Sequence, residues 1–349
     1  LAVLAAVIVV LALRLPIVQD AVVPRIVAHI VSLNGDALFT EDALRVSLCG
    51  SSAPLPHPTR AKACVAVFAA GRFWVVDTGP GSWNRLALDR VDGKRIGAVF
   101  LTHFHSDHIG DLGELNLQTW GAGRPEPLRV FGPPGVERVV AGFQEAYALD
   151  TGYRIAHHGA DFLPEATERM QPVPVVALHG GPLVTVLEEN GLEISAFAVD
   201  HQPVEPAYGY RFDYKGRSVV VSGDTAKSRG VVAAAQGADV LVHEAQANHL
   251  IAMIGAAAAA ANRPRVVKIM HDIPSYHTTP VEAAEVANEA GVKLLVLWHL
   301  NPPPPNRVIE SMFTRGMSAV RRTGWVLGDD GLLIELPANS DAVTTRWLD

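Results

Sequence analysis

Thr102-His103-Phe104-His105-Ser106-Asp107-His108-Ile109-Gly110 follows directly on the apolar run 96–101. That run is short, apolar and closed by polar residues, which predicts a buried strand. Three histidines and an aspartate therefore stand within six residues at a strand end. Imidazole and carboxylate are the nitrogen and oxygen ligands that zinc takes. In an extended or turning loop, His103 and His105 project the same way and can hold one metal. Asp107 and His108, at the next turn, can face a neighbouring one. A polar loop with chance histidines accounts poorly for this density.

Two cations need more ligands than one loop supplies, and other strand ends offer them. His201 follows the strand-like stretch 192–199. Asp224 lies in Ser222-Gly223-Asp224-Thr225, after the apolar stretch 218–221. His299 follows 293–298. Strand ends lie at the rim of a sheet, so these side chains can converge on the first loop. Taken singly, each reads as structural: a rim hydrogen-bonder, a turn former, a strand cap.

Further strands are predicted at 44–48, 63–69, 72–76, 128–131, 207–214 and 240–242. Asp77-Thr78-Gly79-Pro80-Gly81 reads as a turn cluster, as does Gly132-Pro133-Pro134-Gly135. Helical spacing appears over 136–148. The clearest helix begins at Thr279-Pro280-Val281-Glu282, a capping box with proline at the first helical position, and stops at Gly291. The alanine run 256–261 is helix-forming. The order does not settle into βαβα, so sheets packed on each other with helices outside are expected.

The chain has 349 residues, 49% hydrophobic and 19% charged, with a net charge of −7 and 14 histidines. Mean hydropathy is +0.19, which excludes a disordered chain. The acidic balance weighs against a surface built for nucleic acid. Two cysteines exclude a disulfide framework and a Cys-rich zinc module. For Cys49 and Cys64 two buried thiols are the preferred reading, with pairing as the alternative in an exported protein. Residues 1–13 are an unbroken apolar run stopped by Arg14. Thirteen residues fall short of the roughly 20 that cross a bilayer, and match the apolar core of a secretory signal. Residues 1–41 are thus expected to be a signal or anchor with a weakly structured linker, and 42–349 the folded domain that carries the histidine cluster. Location follows: periplasmic, exported or membrane-tethered, or cytoplasmic if 1–13 packs as a structural helix.

His103-Phe104-His105-Ser106-Asp107-His108, with His201, Asp224 and His299 in that order, resembles the zinc signature of the metallo-β-lactamase-fold hydrolases. The resemblance covers about residues 42–335 and implies an αββα four-layer sandwich with a dinuclear site at the sheet edges. By match to the family motif, His103, His105 and His201 would hold one zinc. Asp107, His108 and His299 would hold the other, with Asp224 bridging. Manganese or iron are possible substitutes.

Two branches of that superfamily compete. Leu241-Val242-His243-Glu244-Ala245 and His277-Thr278-Thr279 resemble motifs of both the tRNA 3′-processing endonucleases (tRNase Z) and the fold's arylsulfatases. Phe131-Gly132-Pro133-Pro134-Gly135 and Leu297-Trp298-His299-Leu300-Asn301-Pro302 look more like the sulfatases. The endonucleases carry a long tRNA-clamping arm between the residues matching His201 and Asp224; here 22 residues separate them, and no basic extension replaces the arm. The leading expectation is a dizinc hydrolase of a small anionic ester, an aryl sulfate or phosphodiester, attacked by a hydroxide bridging the metals. Nucleic acid is an unlikely partner on this reading, a homodimer the family-level expectation. A tRNase Z-like endoribonuclease is the alternative, then a β-lactamase or lactonase. Asp107 and Asp224 would orient the nucleophile. His277 is the candidate acid for the leaving group, held by Glu244. His243 reads as structural, and His157 and His158 as a solvated loop.

Overall fold

The structure, a computed structural model, describes residues 13–40 and 42–348. The expected signal run 1–13 lies outside them except for Leu13. Strands β1 (Ala43–Gly50), β2 (Cys64–Ala69), β3 (Arg72–Val76), β4 (Ile96–Phe100), β5 (Leu128–Gly132) and β6 (Met170–Pro174) belong to one sheet. Strands β7 (Val184–Glu189), β8 (Leu192–Ala198), β9 (Tyr208–Tyr214), β10 (Arg217–Val221), β11 (Val240–Gln246), β12 (Leu294–Asn301) and β13 (Trp325–Leu327) form the second. The last two, β14 (Leu332–Pro337) and β15 (Thr344–Trp347), return to the first sheet beside β1.

Alternation along each strand builds the layers. Val65 and Val67 of β2 point into the core between the sheets, while Ala66 and Phe68 point outward. Val240 and Val242 of β11 and Val296 and Trp298 of β12 also point inward, whereas Leu241, Leu295 and Leu297 face helices. A strand buried on both faces must be apolar at every position, so these runs read as continuous rather than alternating. With helices on both outer faces, the molecule is the αββα sandwich that was expected.

Five helices matter below: α1 (Pro16–Ser32), α2 (Val136–His158), α3 (Asn248–Ala260), α4 (Pro264–Asp272) and α5 (Pro280–Ala290). The capping box of α5 is formed. Thr279 accepts from the Glu282 N–H, and Glu282 accepts from the Thr279 N–H at 2.9 Å. Its Ala283, Ala284, Ala287 and Ala290 are small enough to lay the helix close on the second sheet.

Several expectations are corrected. Residues 16–32 form α1 rather than a weak linker. None of its residues is buried, and the stretch Pro16–Phe39 is long and apolar enough to cross a membrane by length and composition. His157 and His158 end α2 instead of sitting in a loop. That helix runs past residue 148 on a largely exposed, polar surface that periodicity cannot track, and Gly159 (φ 92°) stops it. Strands β6 and β7 were not predicted because they are half-exposed edge strands. Pro172 and Pro174 are tolerated in β6 because an edge strand has ladder positions to spare. Cys49 and Cys64 are bonded, not two thiols. The antiparallel register that sets Gly50 opposite Cys64 brings their Cα atoms to 4.9 Å.

Candidate metal centre

Strands β3 to β6 run parallel in the first sheet and β10 to β13 in the second, so their C-terminal ends gather at one edge. Beyond β4 the chain turns through Thr102–His105, and Asp107 and His108 sit in the one-turn helix Ser106–Ile109. His201 and Asp224 follow β8 and β10. His299 lies inside β12, not after it. The register with β11 slips there, Glu244 facing Trp298 and Ala245 facing Leu300. His299 is the extra residue of that bulge, at φ 48°, and the bulge re-aims its ring toward the cluster.

All seven expected ligands come together. His103, His105, His201 and Asp224 form one group and Asp107, His108 and His299 another, each with its ligand atoms within 4.8 Å of one another. Asp224 reaches both groups. Its Oδ2 lies 3.3 Å from His108 Nε2 and 3.9 Å from His201 Nε2, and its Oδ1 lies 3.3 Å from His299 Nδ1. Two pairs of imidazole nitrogens approach closely: His103 Nε2 and His105 Nδ1 at 2.9 Å, His108 Nε2 and His299 Nε2 at 3.2 Å.

Three of the five rings have their outward nitrogen occupied. His108 Nδ1–H donates to Asp77 Oδ2 at 2.7 Å, His103 Nδ1–H to Thr102 Oγ1 at 3.0 Å, and His201 Nδ1–H to the Tyr276 carbonyl at 3.0 Å. Each bond fixes the tautomer that turns a bare Nε2 inward. His201 Nε2 and Asp224 Oδ1 are buried with no hydrogen-bond partner. Orphaned buried atoms and converging lone pairs are what a bound cation would satisfy, so the donor set fits divalent metal.

Electrostatics agree for three of the rings, and His108 departs from them. Burial pushes His103 well down, lowers His105, and takes His201 down to about 4, so these rings stay neutral, the form that ligates metal. Asp107 is held at about 2: burial alone would raise it, but His108 and His299 outweigh that. Burial disfavours charge on His108, yet Asp224, Asp77 and Asp107 raise it well above the usual imidazole range.

His277 and Glu244 stand beside the cluster, both buried. His277 Nδ1–H donates to Glu244 Oε1 at 2.9 Å, and the same oxygen accepts from the Thr225 and Thr278 N–H groups. Burial would lower His277, but Glu244 raises it overall. His277, Asp224 and His299 also bring ligand-competent atoms within 4.8 Å. His243 is buried, its Nδ1–H donating to the Glu244 carbonyl at 2.8 Å.

Two features escaped the sequence. Asp77, read as part of a turn, is fully buried at φ 59° and accepts from the Thr102 N–H and hydroxyl, both at 2.8 Å, besides holding His108. An acid ending a strand just before a turn was the available signal. Lys62 donates to Ser52 Oγ and to the carbonyls of Ala53 and Leu55, fixing the 52–55 segment beside the cluster. That segment walls a cavity of about 280 Å³ above His105, Asp107, Asp224 and His277, closed opposite by Ile269, Met270 and Ile273.

A two-sheet sandwich with this ligand set at its edge defines a metal-dependent hydrolase of the metallo-β-lactamase fold. The chain belongs to the β-lactamase superfamily, whose domain matches residues 72–300. A protein named Ribonuclease Z from Mycolicibacterium paratuberculosis is 36% identical over 301 residues, 85% of this chain and all of that protein. A Ribonuclease Z from Mycobacterium bovis is 37% identical over 262 residues, 74% of this chain and 86% of that protein. Among solved structures, the short form of human tRNase Z shares the fold with a TM-score of 0.60 at 21% identity, covering 84% of this chain and 99% of that one. A metallo-β-lactamase fold protein from Bacillus subtilis aligns with a TM-score of 0.59 at 19% identity, over 84% and 100%.

These relatives correct two expectations. The lean toward arylsulfatases gains no support from them; their names favour the tRNase Z-like alternative. The expectation that nucleic acid is an unlikely partner does not stand against relatives of this identity and coverage named as ribonucleases. The physical reason is that net charge sums the whole chain and is blind to where cations sit. Arg263, Arg265 and Lys268 are all exposed within one short segment.

Proposed function

We propose that this protein is a dizinc phosphodiesterase acting on RNA, an endoribonuclease of the ribonuclease Z type. The observation that carries the reading is the likeness, at 36–37% identity, to relatives named Ribonuclease Z, and the buried His277–Glu244 pair beside the seven-residue cluster fits it. His103, His105 and His201 would hold one cation, Asp107, His108 and His299 the other, with Asp224 shared. Bound there, two zinc ions would make a water acidic enough to attack and would neutralise phosphate charge. Ring orientation is the task of Asp77, Thr102 and the Tyr276 carbonyl. Leu55, Ile269, Met270 and Ile273 give the cavity over the reacting phosphate an apolar wall.

Cleaving an RNA chain expels a ribose alkoxide, a poor leaving group that needs a proton. His277 supplies it from the ring nitrogen not bonded to Glu244, and Glu244 holds that ring in place. A mere metal-binding module would have no use for this pair. The relatives named Ribonuclease Z support RNA as the substrate. The test is cleavage of a tRNA precursor with a 3′ trailer, run beside bis(4-nitrophenyl) phosphate, an aryl sulfate and a cephalosporin. Metal-dependent cutting at one site of the precursor is expected. Turnover of the aryl sulfate or the cephalosporin, with the precursor left intact, contradicts the reading.

The Cys49–Cys64 bond supports an oxidising, exported location, because such bonds persist outside the reducing cytosol; the RNA met there would be RNA outside the cytosol, and the tRNA precursor stands in the assay for the class of bond cut. Thiol trapping in cell fractions tests this. Both thiols free in the cytosolic fraction would contradict it.

A further inference from the structure

Helices α3 and α4 form a hairpin inserted between β11, which carries Glu244, and His277. Across residues 248–276 the segment carries three Lys or Arg and a single carboxylate, Asp272, in a chain whose net charge is −7. Arg263, Arg265 and Lys268 are exposed. Lys268 pairs with Asp272, while neither Arg263 nor Arg265 has an ion-pair partner among the described residues. Unpaired guanidinium groups on an acidic protein are available to an external anion.

Their placement relates them to the active site. Arg265, Lys268 and Ile269 stand at i, i+3 and i+4 of α4 and so share one face of the helix. Ile269 lines the cavity over the metal cluster, so Arg265, four residues before it, stands about one helical turn from the cavity wall. Lys268 also lines, with Arg263, His271, Ala259, Pro264 and Val267, a second groove of about 510 Å³ between the two helices. A chain lying along α4 would meet cations and apolar side chains together. Guanidinium groups suit phosphate diesters, which they can bind through two parallel N–H bonds. The cavity is about 280 Å³, far too small for a polymer, which must run out across its mouth.

We infer that the α3–α4 hairpin is an RNA-docking arm: Arg263, Arg265 and Lys268 bind backbone phosphates of the single-stranded segment that flanks the scissile phosphate. The inference rests on the proposed ribonuclease activity. It places a basic extension between Glu244 and His277 and not in the 22-residue interval between His201 and Asp224.

The test compares the full-length protein with its R263A/R265A/K268A variant. Three measurements are made on the metal-loaded proteins: binding of a fluorescent tRNA precursor made uncleavable at the processing site, across a salt series, kcat/KM for the unmodified precursor and for bis(4-nitrophenyl) phosphate, and binding to anionic vesicles. The expected result is RNA affinity at least tenfold weaker in the variant. The slope of log K against log salt should become shallower by about 2, the value for three phosphates on a single strand. The precursor-to-diester ratio of kcat/KM should fall at least tenfold, and R263K/R265K should retain RNA affinity. Equal RNA affinity in the two proteins, including no binding by either, overturns the inference. So does loss of vesicle binding with RNA affinity retained, which would make a membrane the occupant. Binding of RNA through the hairpin without any cleavage overturns the ribonuclease reading instead and upholds the arm.

Discussion

At the scale of single residues, chemistry is divided between atoms that face the cation sites and atoms that aim them. His277→Ala should lower precursor RNA cleavage by about 10²–10⁴-fold. It should lower hydrolysis of an aryl diester far less, because a phenolate leaves without a proton. Equal losses on both substrates would remove the acid role. Asp77→Asn keeps the shape but weakens the hold on His108 Nδ1–H. Metal affinity should fall about 10–100-fold, read by competition with a chelator. An unchanged affinity would show that Thr102 alone orients the rings. The seven ligands were legible because histidines and acids at strand ends are rare and patterned. Asp77 was not, because an aspartate before Thr-Gly-Pro-Gly has an ordinary use as a turn former. Only its burial and its φ of 59° distinguish it.

At the scale of elements, strands buried on both faces announced themselves as apolar runs, and α5 by its capping box. The edges did not. Strands β6 and β7 carry proline and glutamate, and α2 is nearly all exposed, so neither shows a clean period. The bulge in β12 also lies below sequence resolution: the apolar run 293–298 and the following His299 read as strand and cap, whereas the strand continues to Asn301 around an extruded histidine. The disulfide was ambiguous because both cysteines sit in apolar strands where free thiols pack equally well. It joins β1 to β2 across 15 residues, including the loop whose Pro54 and Leu55 wall the cavity. C49A/C64A should lose about 3 kcal/mol of stability by denaturant titration, as closure of a loop of that length implies. A loss under 1 kcal/mol would mean that the loop is already held by Lys62 and by Asp330, which accepts from Ser51 and Ala61.

At the scale of the whole molecule, the two sheets are tied by side chains as well as by the core. Asp239 accepts from Arg217 Nε at 2.9 Å and from the Ser218 N–H at 3.0 Å, and pairs with Lys293 Nζ at 2.9 Å. Arg217 in turn reaches the Pro337 carbonyl of the other sheet at 3.0 Å. Burial would raise the Asp239 pKa, but Arg217 and Lys293 outweigh it and hold it below the usual range. A depressed carboxylate contributes stability above its unfolded pKa of about 3.9 and loses it as pH falls through the folded value. The wild type should therefore lose stability more steeply than Asp239→Asn below about pH 4. Parallel curves would remove the contribution. The account as a whole depends on cations held by seven side chains from both sheets. The direct measurement is metal content per chain after exhaustive dialysis, taken together with the melting temperature before and after chelation. Close to two equivalents, with a lower Tm and lost hydrolysis on removal, is the expected result. Well under one equivalent, with full hydrolysis retained, would contradict it.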